Sequence, residues 1–468
     1  MHIKISFLGA ARSVTGSRHL VEVNGLKLLV DCGLFQERDL KARDWEPFPF
    51  PAASIDAILL THAHVDHCGY IPRLVKQGFR GKVYCTAATA DITKIMLMDT
   101  ARLQEQDAEN KRKRHEREKR RGPYPEVPLF TQAEAKSCFP MLAPVPYGRT
   151  TGLGDGMTFT LYDAGHVLGS EMIELKVRQG KEERILIFSG DIGRPGRPIL
   201  RDPTTFEEAD YVIMESTYSN RVLPDPEDLL DDLVAVIRST IEAGGNVVIP
   251  TFALERSQDV LYYLNKALVM GKLPPVRVYL DSPMAVSITG VFTRYADLFD
   301  DEVKRLIRRN KSPFDFPGLH LISTMDESRS IDQVEGPAIV MAGSGMCIGG
   351  RIKYHLISNI TRPESTILFV GYQAEGTLGW VIADGAEEVR ILGQTYPVKA
   401  KVVQMQGFSS HADAVQLHRW LYNLKRAPRH VFAVHGEEEA ATHLAETVRQ
   451  EKGWQATAPE YREEFILD

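Results

Sequence analysis

The sequence predicts an α/β protein in which sheets form the framework and helices cover them. Short apolar runs that end in glycine-rich turns recur through the first third of the chain, for example at 3–8 and 57–60. Helical patterns such as the one at 89–105 intervene between these runs. Past residue 218, helices and strands alternate regularly, which is typical of a doubly wound parallel sheet. We therefore expect layered α/β architecture throughout.

The elements are expected in the following order. The first part of the chain predicts one helix and eight strands, the helix at 89–105 and the strands at 3–8, 19–23, 27–30, 57–60, 82–85, 158–162, 172–177 and 184–189. The middle part predicts four helices at 225–243, 257–270, 284–295 and 352–359, and five strands at 246–250, 277–280, 320–323, 338–342 and 366–370. Strands at 401–406 and 430–434 and a helix at 438–450 follow. The expected domains are 1–217, an inserted 218–396, and 397–468.

Composition narrows the class of protein. The chain has 468 residues, of which 43% are hydrophobic and 25% charged, as in ordinary globular proteins. It shows no basic leader followed by a long apolar stretch and no run of eighteen apolar residues, so we expect a cytoplasmic protein without a membrane span. Its five cysteines are scattered and form no Cys-x-x-Cys pair, so we expect no disulfides.

The distribution of charge distinguishes one segment from the rest of the chain. The net charge of −6 argues against polyanion binding by the whole surface, but it leaves room for one basic groove. The segment from Lys111 to Arg121 is strongly basic and continues a helical pattern, and Pro123, Pro125 and Pro128 end that helix. It is either a solvated helix end or mobile loop, or a nucleic-acid contact, and the sequence leaves its role open.

One six-residue stretch carries the strongest chemical signal. His62, His64 and His67, with Asp66 between the last two, directly follow the apolar run at 55–61. A buried strand that ends here releases these side chains into a turn, where some can bind one cation and the rest a second. Imidazole and carboxylate together suit zinc, and an open coordination position lowers the pKa of bound water to about 7. The stretch predicts a two-metal site.

Two metal ions need more ligands than one hexapeptide supplies. His166, Asp191 and His435 each follow a predicted strand, and Asp31 does so near the start of the chain. Taken singly, a His or Asp after a strand is most often a turn residue. The repeated order of apolar strand, ligand and nearby glycine predicts a site assembled at strand ends.

These motifs resemble those of the metallo-β-lactamase superfamily, whose αββα sandwich holds metal ligands at strand ends. Its four core motifs are matched by Asp31, the stretch at 62–67, His166 and Asp191. The resemblance implies two zinc ions per chain and two ligand sets bridged by one carboxylate: His62, His64 and His166; Asp66 and His67; and the bridging Asp191. It also implies that Asp31 lies behind the ligands and orients one of them through a hydrogen bond.

Further motifs at 214–218, 343–351, 407–413 and 434–436 resemble those of the β-CASP nucleases, a group that includes ribonuclease J and the endonuclease subunit of the cleavage and polyadenylation specificity factor. The resemblance covers essentially the whole chain. It implies an αββα metallo-β-lactamase sandwich with an inserted α/β parallel-sheet β-CASP domain. DNA-processing members commonly have Val where this chain has His435, so the resemblance implies single-stranded RNA as substrate and an additional ligand of the second zinc.

The implied reaction is hydrolysis of an RNA phosphodiester bond by a hydroxide that bridges the two zinc ions and attacks in line, leaving 5′-phosphate and 3′-hydroxyl ends. Asp66 is expected to serve catalysis as well as bind metal. His411 is expected to protonate the leaving oxygen, and Glu215 to hold that imidazole and raise its pKa. A structural histidine in a serine-rich turn is the alternative for His411.

Substrate phosphates need donors. The loop at 343–350 precedes a predicted helix, so its backbone N–H groups and the helix N-terminus are suited to bind an anion. The expected contacts with substrate are Ser344, Gly345, Arg351, Ser409 and Ser410. A plain turn is the alternative for this loop, and the sequence does not decide between them.

Three other functions share some of these sequence features. A small-ester hydrolase of the glyoxalase or lactonase type would share the ligands up to Asp191, but it would not need the inserted domain, Glu215 or His411. An inactive RNA-binding subunit is expected to have lost ligands that this chain retains. A DNA-processing nuclease is disfavoured by His435. The sequence does not separate endonuclease from 5′-3′ exonuclease action, and it leaves RNA preference, protein partners and oligomeric state open, a homodimer included.

Overall fold

Two seven-stranded sheets lie face to face in the first of the two units into which the chain divides. The computed structural model describes residues 2–120, 126–224, 229–309 and 312–468. The first unit comprises Met1–Pro195, Asp202–Val222 and His411–Asp468, and the second comprises Gly196–Arg201 and Leu223–Ser410. Within the described ranges, no helix is both long enough and apolar enough to cross a membrane.

The sheets of the first unit enclose an apolar core. In spatial order, the strands of the first sheet are β22 (Glu464–Leu467), β1 (Ile3–Gly9), β2 (Arg18–Val23), β3 (Leu26–Val30), β4 (Ala57–Leu59), β5 (Lys82–Cys85) and β6 (Leu142–Pro144). Those of the second are β21 (Ala456–Thr457), β20 (His430–Val434), β11 (Tyr211–Glu215), β10 (Glu182–Phe188), β9 (Glu171–Gln179), β8 (Met157–Asp163) and β7 (Thr151–Gly154). Phe7, Phe159, Phe188 and Phe432 are buried in one cluster, because alternate side chains of each strand point to the same face.

Helices cover the outer faces of both sheets. The helices packed on the first sheet or following its strands are α1 (Val65–Cys68), α2 (Ile71–Lys76), α3 (Ala87–Glu118) and α4 (Gln132–Ser137). On the second sheet, α12 (Ala414–Leu421) and α13 (Glu438–Lys452) bury Leu417 and Leu444 beside Val212. This αββα order confirms the predicted sandwich.

The second unit contains a six-stranded parallel sheet. In spatial order, its strands are β14 (Leu319–Leu321), β13 (Arg277–Asp281), β15 (Ala338–Ala342), β12 (Val247–Pro250), β16 (Thr366–Phe369) and β19 (Lys401–Gln404). A hairpin of β17 (Glu388–Ile391) and β18 (Gln394–Pro397) accompanies it. The helices are α5 (Leu229–Glu242), α6 (Arg256–Val269), α7 (Pro283–Arg294), α8 (Asp301–Arg308), α9 (Met325–Ser330), α10 (Ile352–Asn359) and α11 (Leu378–Ala383). Every residue of β12, β15 and β16 is buried, as expected for central strands of a parallel sheet.

The structure refines two of the bounds expected from the sequence. Helix α3 runs past 105 as far as Glu118, in keeping with the helical pattern expected through the basic segment, because the residues that follow are good helix formers even though they lack an apolar face. The inserted segment was expected to end at 396, but β19 continues the sheet of the second unit by pairing in parallel with β16. Residues 121–125 and 225–228, which include Arg121 and the expected start of the helix at 225, lie outside the described residues.

Candidate active site

Several side chains that the sequence predicts as functional lie at or just beyond strand ends of the first unit. Asp31 follows β3, His62 lies just beyond β4, and Asp191 lies just beyond β10. Glu215 is the last residue of β11, and His435 follows β20. The pairs β3 with β4, β10 with β11, and β11 with β20 are parallel, so their carboxyl ends meet at the same edge of each sheet. This topology brings together residues that are more than 350 positions apart, such as His67 and His435, whose Nε2 atoms lie 3.1 Å apart.

A first group consists of His62, His64, His166 and Asp191. One candidate ligand atom from each lies within 4.8 Å of those of the others. The Nε2 atom of His62 is 2.9 Å from Nδ1 of His64, and Nε2 of His166 is 3.5 Å from that same Nδ1 atom. His62 and His166 are fully buried, whereas His64 is half-buried. Three imidazoles and a carboxylate at these spacings surround a volume suited to one cation.

A second group consists of Asp66, His67 and His435, again with ligand atoms within 4.8 Å of one another. Asp66 Oδ2 lies 3.6 Å from Nε2 of His435. His67 and His435 are buried, and Asp66 is the more exposed member. This group lies next to the first because Asp66 and His67 belong to α1, which begins directly after His64.

Asp191 faces both groups with a different oxygen atom. Its Oδ2 atom is 3.4 Å from Nε2 of His62 and 3.4 Å from Nε2 of His166. Its Oδ1 atom is 3.4 Å from Nε2 of His67 and 3.5 Å from Nε2 of His435. Oδ1 is buried and accepts no hydrogen bond from a described residue. The carboxylate therefore has the arrangement expected of a ligand shared by two cations.

The pKa values of the imidazoles reflect this crowding. Burial and the neighbouring His67 lower the pKa of His62 well below its ordinary value, and burial lowers the pKa of His64 to about 4. Both rings are therefore neutral, which is the form that binds metal. Burial also acts to lower the pKa of His435, but the Asp191 and Asp66 carboxylates outweigh it and raise the pKa to about 10. These carboxylates thus favour a positive charge at this place, which a proton or a metal ion supplies.

The side chains of the two groups are of the kinds that bind divalent metal ions. Four carboxylates, Asp31, Asp66, Asp191 and Glu215, are buried or nearly so within one small region. Burying that much negative charge is costly unless cations lie beside it. Imidazole nitrogen and carboxylate oxygen are the ligands preferred by zinc and related divalent ions. The residues of both groups therefore fit two divalent cations.

Asp31 lies behind the second group. Its Oδ2 atom is 2.7 Å from Nδ1 of His67, and its Oδ1 atom accepts a hydrogen bond of 2.8 Å from the backbone N–H of Thr61. A carboxylate only accepts, so Nδ1 of His67 carries the proton and Nε2 is left with its lone pair toward Asp191 and His435. Asp31 thereby fixes the tautomer and the orientation of His67.

Two threonines support the site, and sequence reasoning missed their roles. Thr61 Oγ1 lies 2.9 Å from Asp31 Oδ2 and 3.1 Å from Nδ1 of His62. Thr217 Oγ1 lies 3.1 Å from Nδ1 of His435. Thr61 directly precedes the histidine cluster and Thr217 lies in the stretch at 214–218, so adjacency to a predicted ligand was the available signal.

Close backbone packing holds the turns in place. A Cβ atom on Gly33 would lie 1.5 Å from the carbonyl oxygen of Asp66. One on Gly193 would lie 1.9 Å from the carbonyl oxygen of Gly165, next to His166. Only glycine permits such approach, because it has no side chain. The loops that follow β3 and β10 therefore press directly against the turns that carry the histidines.

His411 and Glu215 form a pair beside the two groups. Nδ1 of His411 lies 3.0 Å from Glu215 Oε2, while Oε1 accepts a hydrogen bond from the backbone N–H of Ile192. Burial acts to lower the pKa of His411, but the Glu215 carboxylate outweighs it, so the pKa lies above its ordinary value. His411 is 20% exposed and Glu215 is fully buried, so the imidazole has access to solvent and the carboxylate does not.

The backbone around His411 is held firmly. Gly193 and His411 form an antiparallel bridge, and the N–H of Ala412 donates to the carbonyl of Ile192 at 2.8 Å. Asp413 then caps α12 by accepting a hydrogen bond from the N–H of Gln416 at 3.0 Å. The position of the imidazole is thus set by the same loop that carries Asp191.

The five residues expected to contact substrate phosphates belong to the second unit: Ser344, Gly345, Arg351, Ser409 and Ser410. Arg351 donates from Nη1 to Asp281 Oδ1 at 2.6 Å and from Nη2 to the carbonyl of Ser323 at 2.9 Å. Its guanidinium therefore serves the structure of the unit. Ser409 and Ser410 are buried, at 6% and 7% exposure.

Comparison with known proteins agrees with the fold. Residues 20–189 match the metallo-beta-lactamase superfamily domain, and 257–382 match the Beta-Casp domain. Residues 395–459 match the Zn-dependent metallo-hydrolase RNA specificity domain, which includes both His411 and His435.

Related proteins cover nearly the whole chain. "Ribonuclease TTHA0252" of Thermus thermophilus is 37% identical over 93% of this chain and 94% of its own. "Transcription termination factor FttA" of Methanocaldococcus jannaschii is 32% identical over 96% of this chain and 69% of its own. A solved structure of a protein of unknown function from Enterococcus faecalis V583 covers 100% of both chains with a TM-score of 0.57 at 12% identity, a likeness of fold alone. The chain belongs to the β-CASP ribonuclease family of the metallo-β-lactamase superfamily, and it is a metal-dependent hydrolase of the nuclease class.

Proposed function

We propose that this chain hydrolyses phosphodiester bonds of single-stranded RNA with two zinc ions per chain. The observation that carries the proposal is the position of Asp191, whose two oxygen atoms each face a separate group of imidazoles at 3.4 to 3.5 Å. One such carboxylate between two ligand sets is the arrangement that a two-metal hydrolase needs.

The residues of the two groups would hold the zinc ions: His62, His64, His166 and Asp191 the first, and Asp66, His67, His435 and Asp191 the second. When bound, the two ions supply an activated water and neutralise negative charge at phosphorus. Asp31 keeps His67 in the tautomer that binds metal, and Thr61 and Thr217 orient the neighbouring rings.

His411 acts as the general acid. Its Nδ1–H is held by Glu215, so Nε2 carries the proton that passes to the leaving oxygen of the ribose. Glu215 favours the protonated imidazole by its negative charge, and the pKa of Glu215 is itself lowered: burial acts to raise it, but His411 outweighs burial. A partly exposed imidazole whose pKa is raised by a buried carboxylate is suited to this step.

RNA is favoured over other substrates for three reasons. The ribonuclease match covers 94% of that relative, whereas the termination-factor match covers 69%. The match to the RNA specificity domain includes His411 and His435. A small-ester hydrolase needs neither the pair Glu215–His411 nor a second unit, and a DNA-processing nuclease is disfavoured by His435.

The mode of cleavage is proposed to be endonucleolytic, 5′-3′ exonucleolytic, or both, with 5′-phosphate and 3′-hydroxyl products. A time course with 5′-labelled and internally labelled RNA distinguishes the modes. Early release of labelled mononucleotide identifies the exonuclease, and early internal fragments identify the endonuclease.

Metal content and activity test the proposal together. The purified chain is expected to carry about two zinc ions, to degrade single-stranded RNA, and to lose this activity on chelation. Asp191→Asn is expected to lower the metal content at both groups because each uses one of its oxygens. A chain without metal, or one that degrades a small ester but not RNA, would contradict the proposal.

A further inference from the structure

The far end of α3 and the two residues after it form an exposed basic arm, Lys111–Arg120. This arm contains seven Lys or Arg residues and two Glu residues, in a chain whose net charge is −6. The first part of α3 is anchored by buried residues as far as Ala101, but in the arm only His115 is buried. A helix that continues beyond its apolar face into solvent gains little from packing, so the arm calls for another explanation.

One face of the arm is covered by the chain that returns toward α4. His115 pairs with Glu126, and the side chains of Gln104 and Glu105 accept hydrogen bonds from the backbone N–H groups of Leu129 and Gln132 at 3.0 and 2.9 Å. These bonds fix the orientation of the helix, and they leave its opposite side open.

Three cations lie on that open side. At about 100° per residue, Lys113, Arg114 and Arg117 fall within an arc of about 100° centred roughly 150° from His115. Lys113 pairs with Glu109 at 2.6 Å, whereas neither Arg114 nor Arg117 forms an ion pair with a described residue. Like charges three and four positions apart repel one another on a helix, and a bound polyanion relieves that repulsion, so this face is suited to an anionic partner.

The other end of α3 is joined to the active site. Thr86, which caps the helix, and Thr89 both donate to the carbonyl of Gly169, at 2.7 and 2.8 Å. Gly169 lies in the turn that carries His166. From Thr89 to Arg114 the helix advances about 37 Å at roughly 1.5 Å per residue. A stacked nucleic-acid strand covers that distance in about 11 nucleotides at roughly 3.4 Å each.

We propose that the basic arm binds the phosphate backbone of RNA about 11 nucleotides from the scissile bond. The inference rests on the proposed RNA-hydrolysing function and adds a second, remote binding site for long substrates. Backbone phosphates fit this face better than bases do, because its side chains offer positive charge and no aromatic ring. Short RNA bound at the active site does not reach the arm.

The test compares two triple variants of the full-length chain with the unmodified protein. The first, K113Q/R114Q/R117Q, removes the open cationic face and retains good helix formers. The control, K425Q/R426Q/R429Q, removes the same charge from exposed cations elsewhere in the same unit, which pair with Glu207, Glu208 and Asp210. KM and kcat are measured on single-stranded RNAs of about 30 and about 4 nucleotides, lengths chosen to reach and not to reach the arm.

For the first variant, KM for the long RNA should rise roughly 10- to 100-fold with kcat unchanged, and the slope of log KM against log salt should fall by about 2, or roughly 0.7 for each lost phosphate contact. The short RNA and the control variant should show no change. Unchanged KM for the long RNA, as expected if the arm binds an acidic protein instead, would overturn the proposal. So would equal effects on both RNAs or equal effects of both variants.

Failure of the proposal about the arm can be distinguished from failure of the proposed function. If the unmodified protein does not cleave either RNA, the hydrolytic function itself is wrong. If it cleaves both and the arm variant matches it on both, only the arm proposal is wrong.

Discussion

Replacing His411 by alanine separates proton donation from metal binding. The Nδ1 atom of His411 lies 4.0 Å from Asp191 Oδ2, which is beyond hydrogen-bond distance, and its firm partner is Glu215 at 3.0 Å. The change therefore removes the proposed acid and leaves the seven proposed metal ligands in place. We expect zinc content to be unchanged, which metal analysis of the purified variant measures directly.

The expected loss of kcat follows from the usual contribution of a general acid to the rate. A positioned general acid contributes about 10²- to 10⁴-fold to the rate, or roughly 2.7 to 5.5 kcal/mol of transition-state stabilisation. Because Glu215 is fully buried and holds the imidazole firmly, we expect kcat on RNA to fall by about 10³-fold or more. The exposed His443→Ala variant is the control, and it should retain wild-type kcat.

A second substrate tests the reason for the loss. With a phosphodiester whose leaving group departs without a proton, such as a nitrophenyl ester, His411→Ala should lose far less activity than it does on RNA. Two results would refute the reasoning: loss of zinc from the variant, which would make His411 a metal ligand, or an equal loss of rate on both substrates.

Three other changes have clear expected outcomes. Removing metal by chelation should lower Tm by at least about 5 °C, because ions that bind only the folded chain stabilise it by their binding free energy, and an unchanged melting curve in differential scanning fluorimetry would contradict this. Gly33→Ala should destabilise the fold by about 3 kcal/mol or more and reduce zinc content, since its Cβ meets the Asp66 carbonyl at 1.5 Å. The control for Gly33→Ala is Gly152→Ala, which has open space around its Cβ position and should unfold in urea as the unmodified protein does. Asp281→Asn should cost about 3 to 5 kcal/mol in the same urea titration, because it removes the charge of the buried carboxylate that pairs with the half-buried Arg351, yet zinc content should stay constant, and a loss of zinc would contradict this.

The sequence was sufficient to predict the architecture and most positions at strand ends. Apolar periodicity located the strands that precede Asp31, His62, Asp191 and His435, because a buried strand and the turn after it are local features. It did not predict that β22 pairs with β1, or that β20 pairs with β11, since such pairings join distant parts of the chain.

The supporting layer of the site was not predictable either. Thr61 and Thr217 look like ordinary threonines in sequence, and their hydrogen bonds to imidazoles depend on the folded positions of the rings. The structural pairing of Arg351 was not foreseen, because a basic residue after a glycine-rich loop suggests an anion site, and its contact with substrate stays a prediction. The buried Asp281 that pairs with it lies 70 positions earlier.

The parallel pairing of β11 with β20 joins Glu215 to a strand made much later in synthesis. A chain still on the ribosome that has reached residue 400 contains His62, His64, His166 and Asp191 but lacks both His411 and His435. It holds one complete group of the proposed ligands, an incomplete second group, and not the proposed acid. The order of synthesis thus delays assembly of the proposed site until the last part of the chain is made, in the immediate presence of messenger RNA. A chain truncated before residue 411 should never complete the site.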